Sequence, residues 1–223
     1  MPLYQATRSE VVGGIADEFL HNYGRGRTIL AVDGADGAGK TRFADELAAT
    51  MRKRGVAVFR ASIDSFLRPR SERHGRGRTG ETCFHDSYDY STFRRVLVEP
   101  FRLGGSAGFV LEAFDGRRDA PVEPKWVTAP ADAVLIVDGV FLNRPELSGI
   151  WNYSVWLDVP AEIAFARVAE RDGTDPDPEA ESNRRYADAQ RLYRSVVDPR
   201  TKASAIIANG DLEHPRRIFA DSC

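Results

Sequence analysis

Residues 31–43 read AVDGADGAGKTRF. Apolar residues run into Asp33 and a glycine-rich turn, and then Phe43, Leu47 and Met51 recur at helical spacing. Inside this stretch Gly34-Ala35-Asp36-Gly37-Ala38-Gly39-Lys40-Thr41 matches G-x-x-x-x-G-K-[ST], the Walker A pattern. Glycines let backbone N–H groups close around phosphate oxygens with no side chain in the way. The helix that starts near Lys40 aims its positive end at the same anion. On this reading Lys40 neutralises the β- and γ-phosphates of a bound nucleotide and the Thr41 hydroxyl binds Mg²⁺. The motif sits between an apolar strand and a helix, which is the context its chemistry requires.

Outward from the loop, the pattern predicts strands alternating with helices. Thr7 and Glu10 have capping-box spacing ahead of a helix over about 8–23, with Val12, Ile15 and Phe19 in a stripe and Gly24 as the stop. Thr28–Val32 reads as a buried strand, the helix after the loop ends near Gly55, and Val56–Ile63 reads as a second strand. Tyr90–Phe101 is expected to be helical, Phe109–Phe114 to be a short strand, and Ala133–Val137 and Tyr153–Leu157 to be core strands. Ala161–Arg171 and Arg184–Val197 read as helices and Ala205–Ala208 as the last core strand. This alternation implies a single α/β domain over 1–223, with a mostly parallel sheet covered on both faces.

The bulk numbers agree with such a domain. The 223 residues carry 31 basic and 33 acidic side chains, for a net charge of −2. A general nucleic-acid binder is usually strongly basic, so no nucleic-acid partner is expected. Cys83 and Cys223 form neither a disulfide framework nor a zinc pattern, which points to a reducing cytoplasm. No signal pattern or membrane-length apolar run occurs, so no membrane partner is expected. A homo-oligomer is compatible with the chain.

Two carboxylates follow apolar strands. Asp138 ends VLIVDG and either starts a turn with Gly139 or, beside a phosphate loop, holds magnesium directly or through water. Asp33, just before the loop, supports the turn or the metal's outer shell. The guanine-reading N-K-x-D of GTPases is missing. Instead, ASIDSFLRPR (61–70) places Asp64 at the end of the second strand, beside the phosphate loop. A carboxylate there can take the proton of an acceptor hydroxyl attacking the γ-phosphorus, or it can merely cap the strand end.

VDGADGAGKT, SIDSFLRPR, YDYSTFRRVLVEPF, FDGRRDAP, VLIVDGVFLNRPEL, LDVPAEIAFARVAERD and RRY occur in this order over roughly residues 26–210. The set resembles the uridine kinase-like branch of P-loop kinases, which also contains phosphoribulokinase and bacterial pantothenate kinase. The resemblance implies a doubly wound parallel sheet with a small lid, an ATP–Mg²⁺ donor, and a small-molecule acceptor phosphorylated on a hydroxyl. It makes Asp64 the general base and puts Asp138 where uridine kinases usually carry a metal-binding glutamate. Asp89 resembles the aspartate that contacts the sugar hydroxyls. Phe114, in FDGRRD, stands for the tyrosine of the base-reading segment, whose histidine has no counterpart here.

Arginines crowd two places. Arg68, Arg70, Arg73, Arg76 and Arg78 share a long polar segment with His74, read either as a solvated mobile loop or as one closing over an anionic or polar acceptor. Arg167 and Arg171 lie four apart on one helix face, before an acidic loop that Arg184 and Arg185 follow. The resemblance makes this region, about 172–185, a lid whose arginines reach the transferring phosphoryl group, with Arg171 first among them and Arg167 on the substrate. Planar donors and fixed charge suit arginine to that role, and surface ion pairing is the alternative. Tyr186, Gln190 and Tyr193 share a helix face expected to pack, and Trp126, Trp151 and Trp156 are expected in core or interface positions.

Overall fold

The order of strands follows from where the chain breaks its apolar runs. In the computed structural model, which describes residues 6–219, helix α1 (Arg8–Tyr23) leads into strand β1 (Arg27–Gly34) and helix α2 (Lys40–Lys53). Strand β2 (Val58–Ser62) is followed by the short helices α3 (Arg70–Arg73), α4 (Gly80–Asp86), α5 (Tyr90–Phe93) and α6 (Glu99–Leu103). A small hairpin, β3 (Phe114–Asp115) with β4 (Ala120–Pro121), precedes β5 (Ala133–Gly139) and β6 (Tyr153–Asp158). The chain closes with α7 (Ala161–Asp172), α8 (Glu181–Val197), α9 (Pro199–Lys202), β7 (Ala205–Ala208) and β8 (Arg216–Ile218).

The main sheet runs β2-β5-β1-β6-β7-β8 and is parallel except for the last pair. Two apolar layers cover it. Ile29, Ala31, Leu135, Val137 and Trp156 face one cluster with Phe66, Phe93 and Tyr193, while Leu30, Val32, Ile136 and Val155 face another with Phe19, Phe43 and Leu47. The alternation along each strand is the two-residue pleat of a sheet buried on both sides. Because β1 lies between β5 and β6, its carboxyl end is the point where the strand order reverses, where open α/β sheets bind ligands. The sheet is doubly wound, as the resemblance implied.

Local chemistry explains several boundaries. Thr7 and Glu10 form the expected capping box on α1. The rod from Tyr90 to Leu103 holds a π-helical segment, Arg94–Val98, just before Pro100. Proline has no N–H for the carbonyl four residues back, and that carbonyl, Val96 O, accepts from Val110 N at 2.9 Å instead.

Two expectations are corrected. Phe109–Phe114 is no strand: Phe109 makes an isolated bridge to Val127, and only Phe114 enters the hairpin. The polar segment after β2 is not a plain loop, since it contains α3 and α4; runs of four and seven residues are too short to declare a helical period. Of the tryptophans expected in core or interface positions, Trp156 is core, the Trp151 indole donates to Leu142 O at 2.7 Å, and Trp126 is 62% exposed on this chain. Cys223 lies outside the described residues. Among the described residues no helix is long and apolar enough to cross a membrane.

Candidate active site

The phosphate loop is shaped by residues that a side chain could not replace. Gly37 and Gly39 have φ of +73° and +85°, in the left-handed region that favours glycine. The Gly37 carbonyl accepts from Arg167 Nη1 at 3.3 Å and the Ala38 carbonyl from Asn209 Nδ2 at 2.7 Å. Of the loop's own amides, Gly34 N is taken by Asp33 Oδ1 at 2.8 Å and Ala38 N by Ala35 O at 3.1 Å, and the start of α2, which no side chain caps, faces an anion. Lys40 folds across the loop, its Nζ donating to Ala35 O at 2.8 Å with the Asp36 carboxylate 3.9 Å away. A buried lysine held by one carbonyl and a distant acid fits the phosphates of ATP.

Asp33 stands beneath the loop, fully buried. Its carboxylate accepts from Gly34 N at 2.8 Å, from Asn143 N and Nδ2 at 3.1 and 2.8 Å, and from the Tyr193 hydroxyl. Burial nonetheless pushes its pKa above the ordinary carboxylate value, against those four donors. The network ties helix α8 to the base of the loop. Tyr193→Phe is expected to cost about 1–3 kcal/mol of stability, the range for a buried polar group losing a partner. Deleting a donor to the carboxylate raises the Asp33 pKa further, so the loss is larger above the pH of its titration than below. Urea unfolding at several pH values measures both.

Asp138, 2% exposed, joins Thr41: the hydroxyl donates to Asp138 Oδ2 at 2.8 Å. Arg60 takes the other oxygen, Nη2 to Oδ1 at 2.8 Å, and also donates to Asp45 and Ile136 O. A hydroxyl and a carboxylate in contact are a hard-oxygen pair that fits Mg²⁺, which Thr41 and Asp138 would hold. Among the described residues no group of three or more acidic, histidine or cysteine side chains is placed to hold a metal ion.

Asp64 sits two residues past β2, in a 3₁₀ turn that Ser62 caps. It opens onto a cleft of about 910 Å³ that also takes in Ala35 and Asp36 of the phosphate loop, Phe114 of the hairpin and Tyr88. The carboxylate remains reachable by water, yet the cleft walls crowd it. This desolvation, with the Asp36 charge and less strongly that of Asp138, raises its pKa, against the Tyr88 hydrogen bond and the Lys40 charge. Tyr88, its own pKa pushed far up by burial and by Asp64, keeps its proton and donates to Asp64 Oδ1 at 2.8 Å.

The structure thus brings together Lys40, Thr41, Asp138, Asp64 and Phe114 around the loop. Other expected residues lie differently. The Asp89 carboxylate caps α5, accepting from Thr92 N at 2.9 Å; burial would raise its pKa, but the hydrogen bonds of the cap and Arg68 bring it below the ordinary value. Arg167, expected on the substrate, instead donates to Gly37 O, Asn209 O and Gly210 O behind the loop. Arg171 is exposed and ion-paired with Asp172 at 2.6 Å. Sequence reading missed Tyr88, Arg60 and Arg144. The last is buried, donates to Phe84 O and Tyr90 Oη, pairs with Glu146, and stacks on the Phe84 and Tyr90 rings, joining α4 to α5. An arginine inside an apolar strand, as in VFRAS, was the available signal for Arg60.

No family model matches the chain. A curated uridine kinase from Lactobacillus johnsonii is 24% identical over 183 residues, covering 80% of this chain and 84% of that protein. The structure of a possible uridine kinase from Bacillus stearothermophilus superposes with a TM-score of 0.69 at 22% identity, over 87% of this chain and 96% of that one. A candidate fructose transport system kinase from Silicibacter sp. TM1040 gives a TM-score of 0.68 at 23% identity, over 82% of this chain and 94% of that one. The solved structures share the P-loop kinase fold. Together the likenesses support the uridine kinase-like branch of P-loop kinases and suggest a phosphotransferase.

Proposed function

We propose that this chain is an ATP- and Mg²⁺-dependent kinase that transfers the γ-phosphoryl group to a hydroxyl of a nucleoside or a similar metabolite, acting in the cytoplasm. The observation that carries the reading is Asp64: a carboxylate of raised pKa in the same cleft as a Walker A loop, hydrogen-bonded by Tyr88. A group of this kind accepts the proton of the acceptor hydroxyl as its oxygen bonds to the γ-phosphorus and the bond to the β-phosphate oxygen breaks. Tyr88 holds the carboxylate in place. Lys40 and the loop amides take up charge on the departing ADP, and Arg171 lies where its charge is felt at Asp36 and Asp64. Mg²⁺ bound at Thr41 and Asp138 supplies further charge neutralisation.

The nucleoside is one acceptor among several that the cleft suits. Phe114 offers a ring without a hydrogen-bonding tip, and no histidine in the hairpin region is available to read a pyrimidine. Pantothenate or a sugar is the alternative acceptor, and a regulatory ATPase is the rival from another class. ADP release measured against nucleosides, pantothenate, ribose derivatives and other sugars decides among them. Release that depends on one acceptor class supports the kinase, while release independent of every acceptor favours the regulatory ATPase.

A further inference from the structure

Resting on the kinase reading, one wall of the cleft carries a charge that no carboxylate among the described residues pairs with. Arg185 of α8 lines the cleft. Its Nη1 meets His74 Nε2 at 2.9 Å and its guanidinium lies 5.8 Å from the Tyr186 ring centroid. The Nε atom is buried without a hydrogen-bond partner, and among the described residues no carboxylate pairs with the side chain, whose other polar neighbour is the Cys83 thiol, kept protonated by a pKa that burial raises. A few residues along the same helix, Gln190 also lines the cleft, and its buried Oε1 has no partner either. Native proteins leave few buried polar atoms unpaired, and two on one wall of a ligand cleft need a cause.

His74 does not supply the missing negative charge. Burial, and the nearby Arg185, Arg78, Arg73 and Arg70, lower its pKa, so it stays neutral. Of those arginines, Arg73 is answered by Asp119 at 3.3 Å, and the Arg70 guanidinium donates to the carbonyls of Gly116 and Arg117 while its backbone N–H takes the Asp119 carboxylate. The result is a positive patch around a neutral imidazole, with a planar guanidinium at its cleft edge. An oxyanion satisfies such a group through charge-assisted hydrogen bonds.

We propose that Arg185 is the specificity-determining residue of the acceptor site and that the acceptor carries an oxyanion, a phosphate ester or a carboxylate, in addition to the hydroxyl that is phosphorylated. Gln190 Oε1 then accepts from a hydroxyl or N–H of the same molecule. Arg185 also ends the lid region that the resemblance places over the transferring phosphoryl group, and an Arg185 that served that group rather than the acceptor would weaken the ATP analogue when replaced.

The test uses full-length protein loaded with a non-hydrolysable ATP analogue and Mg²⁺, titrated separately with inorganic phosphate and with acetate and followed by thermal shift. Wild type is expected to saturate with at least one anion. Arg185→Gln should weaken that binding roughly tenfold or more, the scale of one lost charge-assisted hydrogen bond. Arg191→Gln, on an exposed α8 arginine paired with Glu179 and Asp188, serves as the control and should leave it unchanged. Tighter phosphate binding identifies a phosphate ester, and equal or tighter acetate binding identifies a carboxylate. Arg185→Lys keeps the charge and should retain part of the affinity, which separates anion recognition from a folding defect. The proposal falls if neither anion saturates wild type, if Arg185→Gln binds anion like wild type, or if it weakens the ATP analogue instead. The kinase reading fails separately, when the analogue does not stabilise wild type. The Arg185 comparison is then made in a Lys40→Met background, where the Walker A loop no longer competes for anion.

Discussion

Asp64→Asn is expected to lower phosphoryl transfer by roughly 10²–10⁴-fold, the usual contribution of a positioned general base, while ATP binding stays near wild type. Asparagine keeps the shape of the side chain and can still accept from Tyr88, whose hydroxyl donates to Oδ1 at 2.8 Å. What it loses is the capacity to take a proton. The mutation also removes a negative charge from beside Asp36 and Asp138, so any change in nucleotide affinity should be toward tighter binding. In wild type the acid limb of kcat/KM should lie above the ordinary carboxylate range. Burial and Asp36 raise the Asp64 pKa, and only the ionised form acts as the base. That limb should vanish from the residual activity of the variant. Undiminished transfer by Asp64→Asn would overturn the assignment of the base, and a persistent acid limb would move it to another group.

How much of this could be read in advance depends on the range of the interaction. The Walker A loop is contiguous, and each of its residues answers to one steric or electrostatic demand, so residues 34–41 are legible from pattern alone. The core strands are legible for a similar reason: AVLIV must be buried on both faces, and β5 is. The acceptor side is built differently. Tyr88 reaches Asp64 because Leu67 and Tyr88 bridge, closing a segment of helices too short to show a period. Arg60 and Asp138 are 78 residues apart and meet only because β2 pairs with β5, Ser62 opposite Asp138. Asp89 carries two roles in one pattern. An aspartate aligned by resemblance to a sugar contact is also an N-cap residue, and here one of its oxygens caps α5. Spacing puts Gln190 on a packing face, yet spacing carries nothing about whether its amide finds a partner.

Gly37→Ala is expected to cost both stability and nucleotide binding, because two independent constraints fall on one atom. At φ +73° an alanine pays roughly 1–2 kcal/mol for the left-handed conformation. Its Cβ would also stand 2.0 Å from the Ala164 carbonyl oxygen and 2.8 Å from the carbonyl carbon. Those are backbone atoms of α7, so no side-chain rotation relieves the contact, and either the helix or the loop must shift. A shift of the loop misplaces the amides that hold the phosphates, and a displacement of about 1 Å at such a site can cost on the order of 10²-fold. Calorimetric titration with ATP should therefore show a loss of that order. The conformational strain alone should lower Tm by roughly 2–4 °C for each kcal/mol. Gly14→Ala provides the contrast. It sits in α1, its added Cβ meets nothing within 4 Å, and alanine there should stabilise by about 1 kcal/mol with no effect on ATP. Equal behaviour of the two variants would mean that the close approach of Gly37 to α7 does not govern the loop.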